Sequence, residues 1–131
     1  MYDIIIRNCS LLMPDFSVKE NQDILIKDSV IAQIRDTAET GEAKETIDGK
    51  GKLAMPGLID GHTHTCQQLL RGRTANEYPM IWTRFLVPFE SNLTPEDCYY
   101  SARLACLEMI KSGTTSFAES GSTHMEDVAE A

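Results

Sequence analysis

The sequence predicts an α/β chain in two parts: a small antiparallel sheet, then a strand–helix–strand unit whose sheet is parallel. Three observations carry this. Short β-prone runs recur at close spacing up to residue 48, a Pro56-Gly57 step follows, and a strongly capped helix leads straight into a further β-prone run. The pattern changes near residue 55, which sets the expected domains as 1–54 and 55–131.

In the first part, residues 2–12 open with Ile4-Ile5-Ile6 and read as a strand that Met13-Pro14-Asp15 breaks. Residues 23–28 and 30–35 are two more strands, with little between them besides Asp28 and Ser29. The second alternates Val30, Ala32 and Ile34 with Ile31, Gln33 and Arg35, which predicts one buried and one wet face. A polar stretch over 36–44 leads to a short strand at 45–48 and a turn at Gly49-Lys50-Gly51. Such strands predict a small antiparallel sheet, half of a β-sandwich by appearance. It carries no catalytic constellation of its own.

From Leu53 onward strands alternate with helices. Residues 58–64 read as a strand, 66–70 as a short helix, and 79–89 as a second helix with Pro79 near its first turn and Pro88 limiting its length. The third helix is the clearest. Thr94 offers an N-cap hydroxyl, Pro95 suits the first helical position, and Glu96 and Asp97 face the positive end of the dipole. Cys98, Ala102, Ala105 and Met109 fall on one face, Lys111 favours the C-terminal end, and Gly113 supplies the left-handed stop. Thr114-Thr115-Ser116-Phe117-Ala118 then completes a βαβ unit, which requires a parallel pair. Residues 123–131 begin as a helix with a capping box expected from Thr123 and Glu126.

A formal net charge of −8 argues against a nucleic-acid backbone or an anionic membrane as partner. Cys9, Cys66, Cys98 and Cys106 form no C-x-x-C pair and no disulfide framework, and they read as core fillers. Met1 runs directly into a strand-like segment, and no apolar run reaches the length of a membrane span. The expected location is the reducing cytoplasm.

The densest chemical signal is His62-Thr63-His64 at the end of Leu58-Ile59-Asp60-Gly61. Residues i and i+2 of a strand share a face, so the two imidazoles present neutral nitrogen ligands side by side for one divalent metal ion. The plain alternative is a histidine pair merely exposed at a strand end. Asp60 points to the same side by parity and suits a supporting role toward backbone or ligand better than direct binding.

Pro56-Gly57-Leu58-Ile59-Asp60-Gly61-His62-Thr63-His64 resembles the first barrel strand of the metal-dependent amidohydrolases. Leu69-Leu70-Arg71-Gly72, Trp82, Leu93-Thr94-Pro95-Glu96-Asp97 and Ser112-Gly113-Thr114-Thr115 narrow the likeness to the aminohydrolase and chlorohydrolase branch, which acts on purines, pterins, cytosine-like rings and triazines. The resemblance implies the N-terminal part of a small β-sandwich followed by the first strands and helices of an incomplete (β/α)8 TIM barrel. A full barrel takes roughly 250 residues. Residues 55–131 account for two of its strands, so the chain is expected to be the N-terminal portion of such an enzyme.

The resemblance further implies one divalent metal ion, zinc first and iron second, held in part by His62 and His64. It implies metal-activated water that hydrolyses a C–N bond of a small heterocyclic substrate, a further histidine, an aspartate ligand and an acid/base glutamate on later strands, and substrate contacts from Gln67 and Trp82. The alternative for Trp82 is a core anchor. Ile81 stands where methylthioadenosine-type deaminases often carry an acid, which favours a free base or pterin over a nucleoside. His124 reads as a surface histidine at a helix start, with a third-ligand role the lesser alternative, and Glu119 ends the second strand where it can line a site. Arg71 and Arg73 read as solvated, with recognition of an anionic substrate group as the alternative. The acid/base residues are not identified in this chain. An open parallel edge makes a homo-oligomer the expected state. The competing reading is a non-catalytic domain that folds by itself and self-associates without metal. A third possibility is an imidase or dihydroorotase-type relative with two metals bridged by a modified lysine; no lysine between the histidines and Ala131 sits on a candidate barrel strand, and the residue that decides this is expected beyond Ala131.

Overall fold

Isoleucine-rich alternation builds the first unit, Met1–Pro56, and the second unit is Gly57–Ala131. The structure is a computed structural model that describes residues 1–37, 40–74 and 78–131. Two positions of the polar 36–44 stretch, residues 38 and 39, lie outside the described residues.

The first unit holds β1 (Tyr2–Leu12), β2 (Val18–Lys27), β3 (Val30–Asp36), β4 (Ala43–Asp48) and β5 (Leu53–Ala54). Their order is β3-β2-β1-β4, with β5 also paired to β1. The β2–β3 hairpin turns on Asp28 and Ser29, both at positive φ, as a two-residue loop matched to strand twist requires. β1–β2 and β2–β3 are antiparallel, but β4 and β5 run parallel to β1. The expectation of a wholly antiparallel sheet is therefore corrected. The chain crosses over after β3 instead of turning back, and an antiparallel hairpin is closed to it.

The alternation read on β3 also fails. Between the pairs Leu25↔Gln33 and Ile26↔Ile31 the ladder advances one residue on β2 and two on β3. That bulge reverses the parity. Ile31 and Ile34, expected on opposite faces, both line a cavity of about 460 Å³ with Ile24, Leu11 and Met55. Neither face of β3 is buried within this chain; Ile31 is 62% and Val30 61% exposed.

On the other side, Ile5 and Leu25 are fully buried beside Asp23. Asp23 is satisfied by Arg7 Nη1 at 2.9 Å, the Asn8 amide at 3.0 Å and the Thr37 hydroxyl at 2.9 Å. Arg7 Nη2 also donates to the Gly41 carbonyl at 2.8 Å. A buried carboxylate with three donors avoids the cost of an unpaired charge.

The second unit holds β6 (Leu58–Thr63), a 3₁₀ helix (Thr65–Leu70), a π-helical turn (Trp82–Leu86) continuing into α1 (Val87–Glu90), then α2 (Pro95–Ser112), β7 (Thr114–Glu119) and α3 (Met125–Glu130). β6 and β7 pair in parallel, as the βαβ reading requires. Gly57 lets the two approach, since a Cβ there would meet Thr115 Oγ1 at 2.1 Å. Among the described residues no helix is long and apolar enough to cross a membrane.

α2 starts on a capping box. Thr94 Oγ1 accepts from the Asp97 amide at 3.2 Å, and Asp97 accepts from the Thr94 amide at 2.9 Å. Its buried face is Cys98, Ser101, Ala102 and Ala105, all small, which lets the helix sit close to the 3₁₀ segment; Met109 is only half-buried. Ser101 donates to the Thr65 carbonyl at 2.8 Å. Gly113 ends the helix at φ 88°.

Two helix readings change. The segment expected at 79–89 has its π turn at Trp82–Leu86 and ends at Glu90. Pro79 lies ahead of it, and Pro88, which lacks an N–H and crowds the carbonyl four residues back, is accommodated by the wide turn before it. The Thr123–Glu126 capping box does not form. His124 is the N-cap of α3, while the Thr123 hydroxyl lies 3.4 Å from the Glu90 carbonyl as its donor.

Candidate functional site

At the end of β6 the ladder passes from Asp60↔Phe117 to Thr63↔Glu119, three residues against two. This bulge falls on Gly61 and His62 and re-aims the strand end. Asp60 Oδ1 accepts from the His62 amide at 3.1 Å, which closes a local turn and gives Asp60 its backbone role. His62 and His64 then line one open cavity of about 340 Å³ with Thr63, Gln67, Gln68 and Arg71.

The two imidazole centroids stand 5.2 Å apart, edge to face. Two rings sharing one tetrahedral ion, each nitrogen about 2.0–2.1 Å from it, have centroids about 5 Å apart. The ring spacing therefore matches that of two imidazoles on a single divalent ion. Among the described residues no cluster of three or more His, Cys, Asp or Glu stands ready for a metal. His64 Nδ1 lies 3.4 Å from the Gly121 carbonyl oxygen.

Trp82 is brought to the pair, with its ring 6.1 Å from that of His64 and edge-on. It is 54% exposed, so within this chain it is not a core anchor. Gln67, half-buried, donates from Nε2 to Glu90 Oε1. Glu90 was not singled out by the sequence; its partner lies 23 residues away and no local pattern marks the pairing.

Other candidates are placed differently. His124 Nε2 is 3.1 Å from the Leu93 carbonyl, a contact that ties the start of α3 to the segment before α2. Arg71 holds both carboxylate oxygens of Glu108, and this keeps the Glu108 carboxyl below its usual range. Arg73 lines a separate cavity with Arg84, Phe85 and Phe89. Glu119 Oε2 accepts from the Thr65 amide at 2.9 Å and from its hydroxyl at 2.6 Å. Cys9, Cys66 and Cys98 are buried. Burial, then the nearby Glu90 charge, pushes the Cys66 thiol up to about 11, which leaves it inert at neutral pH.

Comparison with known proteins decides the family. The amidohydrolase family profile matches residues 53–131. The chain belongs to the amidohydrolase family. It is 41% identical over 125 residues to a 5-methylthioadenosine/S-adenosylhomocysteine deaminase of Halothermothrix orenii, covering 88% of this chain and 29% of that enzyme. It is 42% identical over 123 residues to a 5'-deoxyadenosine deaminase of Methanosarcina mazei, covering 91% of this chain and 28% of the relative. Among solved structures, a zinc-bound adenosine deaminase from Xanthomonas campestris superposes with a TM-score of 0.84 at 23% identity, over 98% of this chain and 32% of the other. The chain thus spans under a third of the length of these amidohydrolases, and the likeness to the solved structure shows a shared α/β fold.

Proposed function

We propose that this chain is the part of an amidohydrolase that carries the first two metal ligands and one wall of the substrate site. In this reading residues 1–54 are the N-terminal part of a β-sandwich and 55–131 begin a (β/α)8 barrel. The reaction is hydrolytic deamination of an amino-heterocycle. The single observation that carries it is the 5.2 Å spacing of His62 and His64 in one cavity, with Trp82 beside them.

His62 and His64 would hold one divalent ion, zinc first and iron second. Such an ion lowers the pKa of water to near neutrality and so supplies a nucleophile for an electron-poor ring carbon. Trp82 offers a flat π-face for the heterocycle, and Gln67, steadied by Glu90, offers an amide oxygen and a second N–H to ring atoms. The relatives are named for adenosine-derived nucleosides, which favours that class over the free base or pterin that Ile81 pointed to. Among the described residues β6 and β7 pair only with each other, and in this reading their outer edges take the neighbouring strands of the barrel.

The test uses the native protein as its gene encodes it. Metal content is measured by elemental analysis and ammonia release with adenosine, 5'-deoxyadenosine and 5'-methylthioadenosine, for the wild type and for H62A/H64A. The expected result is stoichiometric metal and ammonia release in the wild type, both lost in the double variant while the protein stays folded. A folded, metal-free wild type that releases no ammonia would favour the non-catalytic, self-associating alternative.

A further inference from the structure

Glu119 ends β7, and its carboxylate joins the residue after His64 to the residue whose carbonyl faces the His64 ring. One oxygen, Oε2, accepts from the amide and the hydroxyl of Thr65, the residue after His64. The other, Oε1, accepts from the Gly121 amide at 3.2 Å, and it is the Gly121 carbonyl that His64 Nδ1 faces at 3.4 Å. A third tie, from the Ser120 amide to the Thr63 carbonyl at 2.8 Å, holds the two strand ends in the same register. Thr65 itself is fully buried.

A neutral imidazole has one N–H and one lone pair, and the partner of one nitrogen decides which form the ring takes. A carbonyl can only accept. With Gly121 O opposite Nδ1, the proton belongs on Nδ1 and the Nε2 lone pair is left for a ligand. The aim of that carbonyl depends on Gly121, whose φ of 109° L-residues rarely adopt, although nothing lies within 4 Å of where a Cβ would stand. The glycine is thus required by backbone direction and not by space.

We propose that Glu119 is a positioning residue that, through Thr65 and the Gly121 carbonyl, fixes His64 as its Nδ1–H tautomer with Nε2 free for metal. This rests on the reading of His62 and His64 as metal ligands. Glutamine at 119 keeps an oxygen for Thr65 but turns an NH₂ toward the Gly121 amide, so E119Q breaks the relay at Gly121 with little change of volume.

The experiment is a zinc competition titration against a chromophoric chelator, with ¹⁵N chemical shifts of the His64 ring, on the native protein and on E119Q, E119D and G121A. Circular dichroism checks that each variant is folded. Losing an outer partner of a metal-ligating histidine costs about 10–100-fold in affinity. E119Q and G121A are expected to weaken zinc binding by that order and to move His64 toward a mixed tautomer, while E119D, which keeps the charge, recovers part of the affinity. A folded E119Q with wild-type affinity and an unchanged Nδ1–H signal would overturn the proposal. Absence of zinc binding in the wild type would instead overturn the metal reading on which it rests.

Discussion

Gln67, on the 3₁₀ helix after β6, donates its side-chain N–H to Glu90, the last residue of α1. The contact ties the segment carrying one proposed substrate residue to the helix carrying the other, Trp82. Without Glu90 the Gln67 amide loses a charge-assisted hydrogen bond, a loss of about 1.5–3 kcal/mol when the acceptor is ionised. E90A and Q67A are therefore each expected to raise KM for the heterocycle more than they lower kcat. Because they remove one shared contact, the double variant should fall well short of the product of the two effects. Steady-state ammonia release from the native protein measures this; full additivity would show that the two residues act apart.

Trp82 separates two roles by stability against affinity. At 54% exposure its removal costs the fold little, about 0.5 kcal/mol as for other surface changes. Stacking on a heteroaromatic ring is worth about 0.5–1.5 kcal/mol beyond area burial. W82A should leave the urea midpoint nearly unchanged and lower kcat/KM up to about tenfold, with W82F close to the wild type. A large drop in midpoint with unchanged kcat/KM would return Trp82 to the role of core anchor.

What could be read from the sequence was local. β1, the capped start of α2, its glycine stop and the parallel return through β7 all rest on signals within a few residues, and each is present in the structure. The closeness of the His62 and His64 rings was legible too, although a bulge at Gly61 and His62 interrupts the alternation that predicted it. What failed depended on partners far along the chain. The parity of β3 is reversed by a bulge against β2, β4 runs parallel to β1 because of a crossover, and the Thr123 hydroxyl turns to a carbonyl 33 residues away instead of capping its own helix. Glu90 escaped because its partner, the Gln67 side chain, lies 23 residues away, and Glu119 was read only as lining a site because its ties to Thr65 and Gly121 depend on how the chain folds.

The Thr94–Asp97 box predicts how acid acts on α2. Hydrogen bonds from the Thr94 hydroxyl and amide hold the Asp97 carboxyl below its ordinary 3.8. The folded state thus binds this proton less readily than the unfolded chain. Its contribution is fully present above pH 3.8 and is lost as pH falls through the lowered folded value. T94A should cost about 1 kcal/mol at neutral pH by loss of the N-cap. The gap between wild type and T94A should then narrow in acid, read from urea unfolding followed at neutral pH and below pH 3.8. A gap that stays constant across that range would mean that the box does not couple the carboxyl to folding.

Asp23 makes the sharpest stability prediction because its carboxylate is fully buried while Arg7, its partner, is 31% exposed. Alanine at 23 leaves the guanidinium facing a gap and strands the Asn8 amide, and breaking such a pair from one side costs about 3–5 kcal/mol. D23N keeps the volume and still accepts from Asn8 and Thr37, but it sets an NH₂ against Arg7 Nη1, so donor meets donor. It should lose a large part of the same stability. R7M/D23A removes both charges together and should be less destabilised than the sum of R7M and D23A, since an unpaired charge costs more than an absent pair. Urea unfolding of the four proteins completes the cycle. A coupling near zero would mean that Asn8 and Thr37 alone hold Asp23, and that Arg7 serves Gly41 and the crossover.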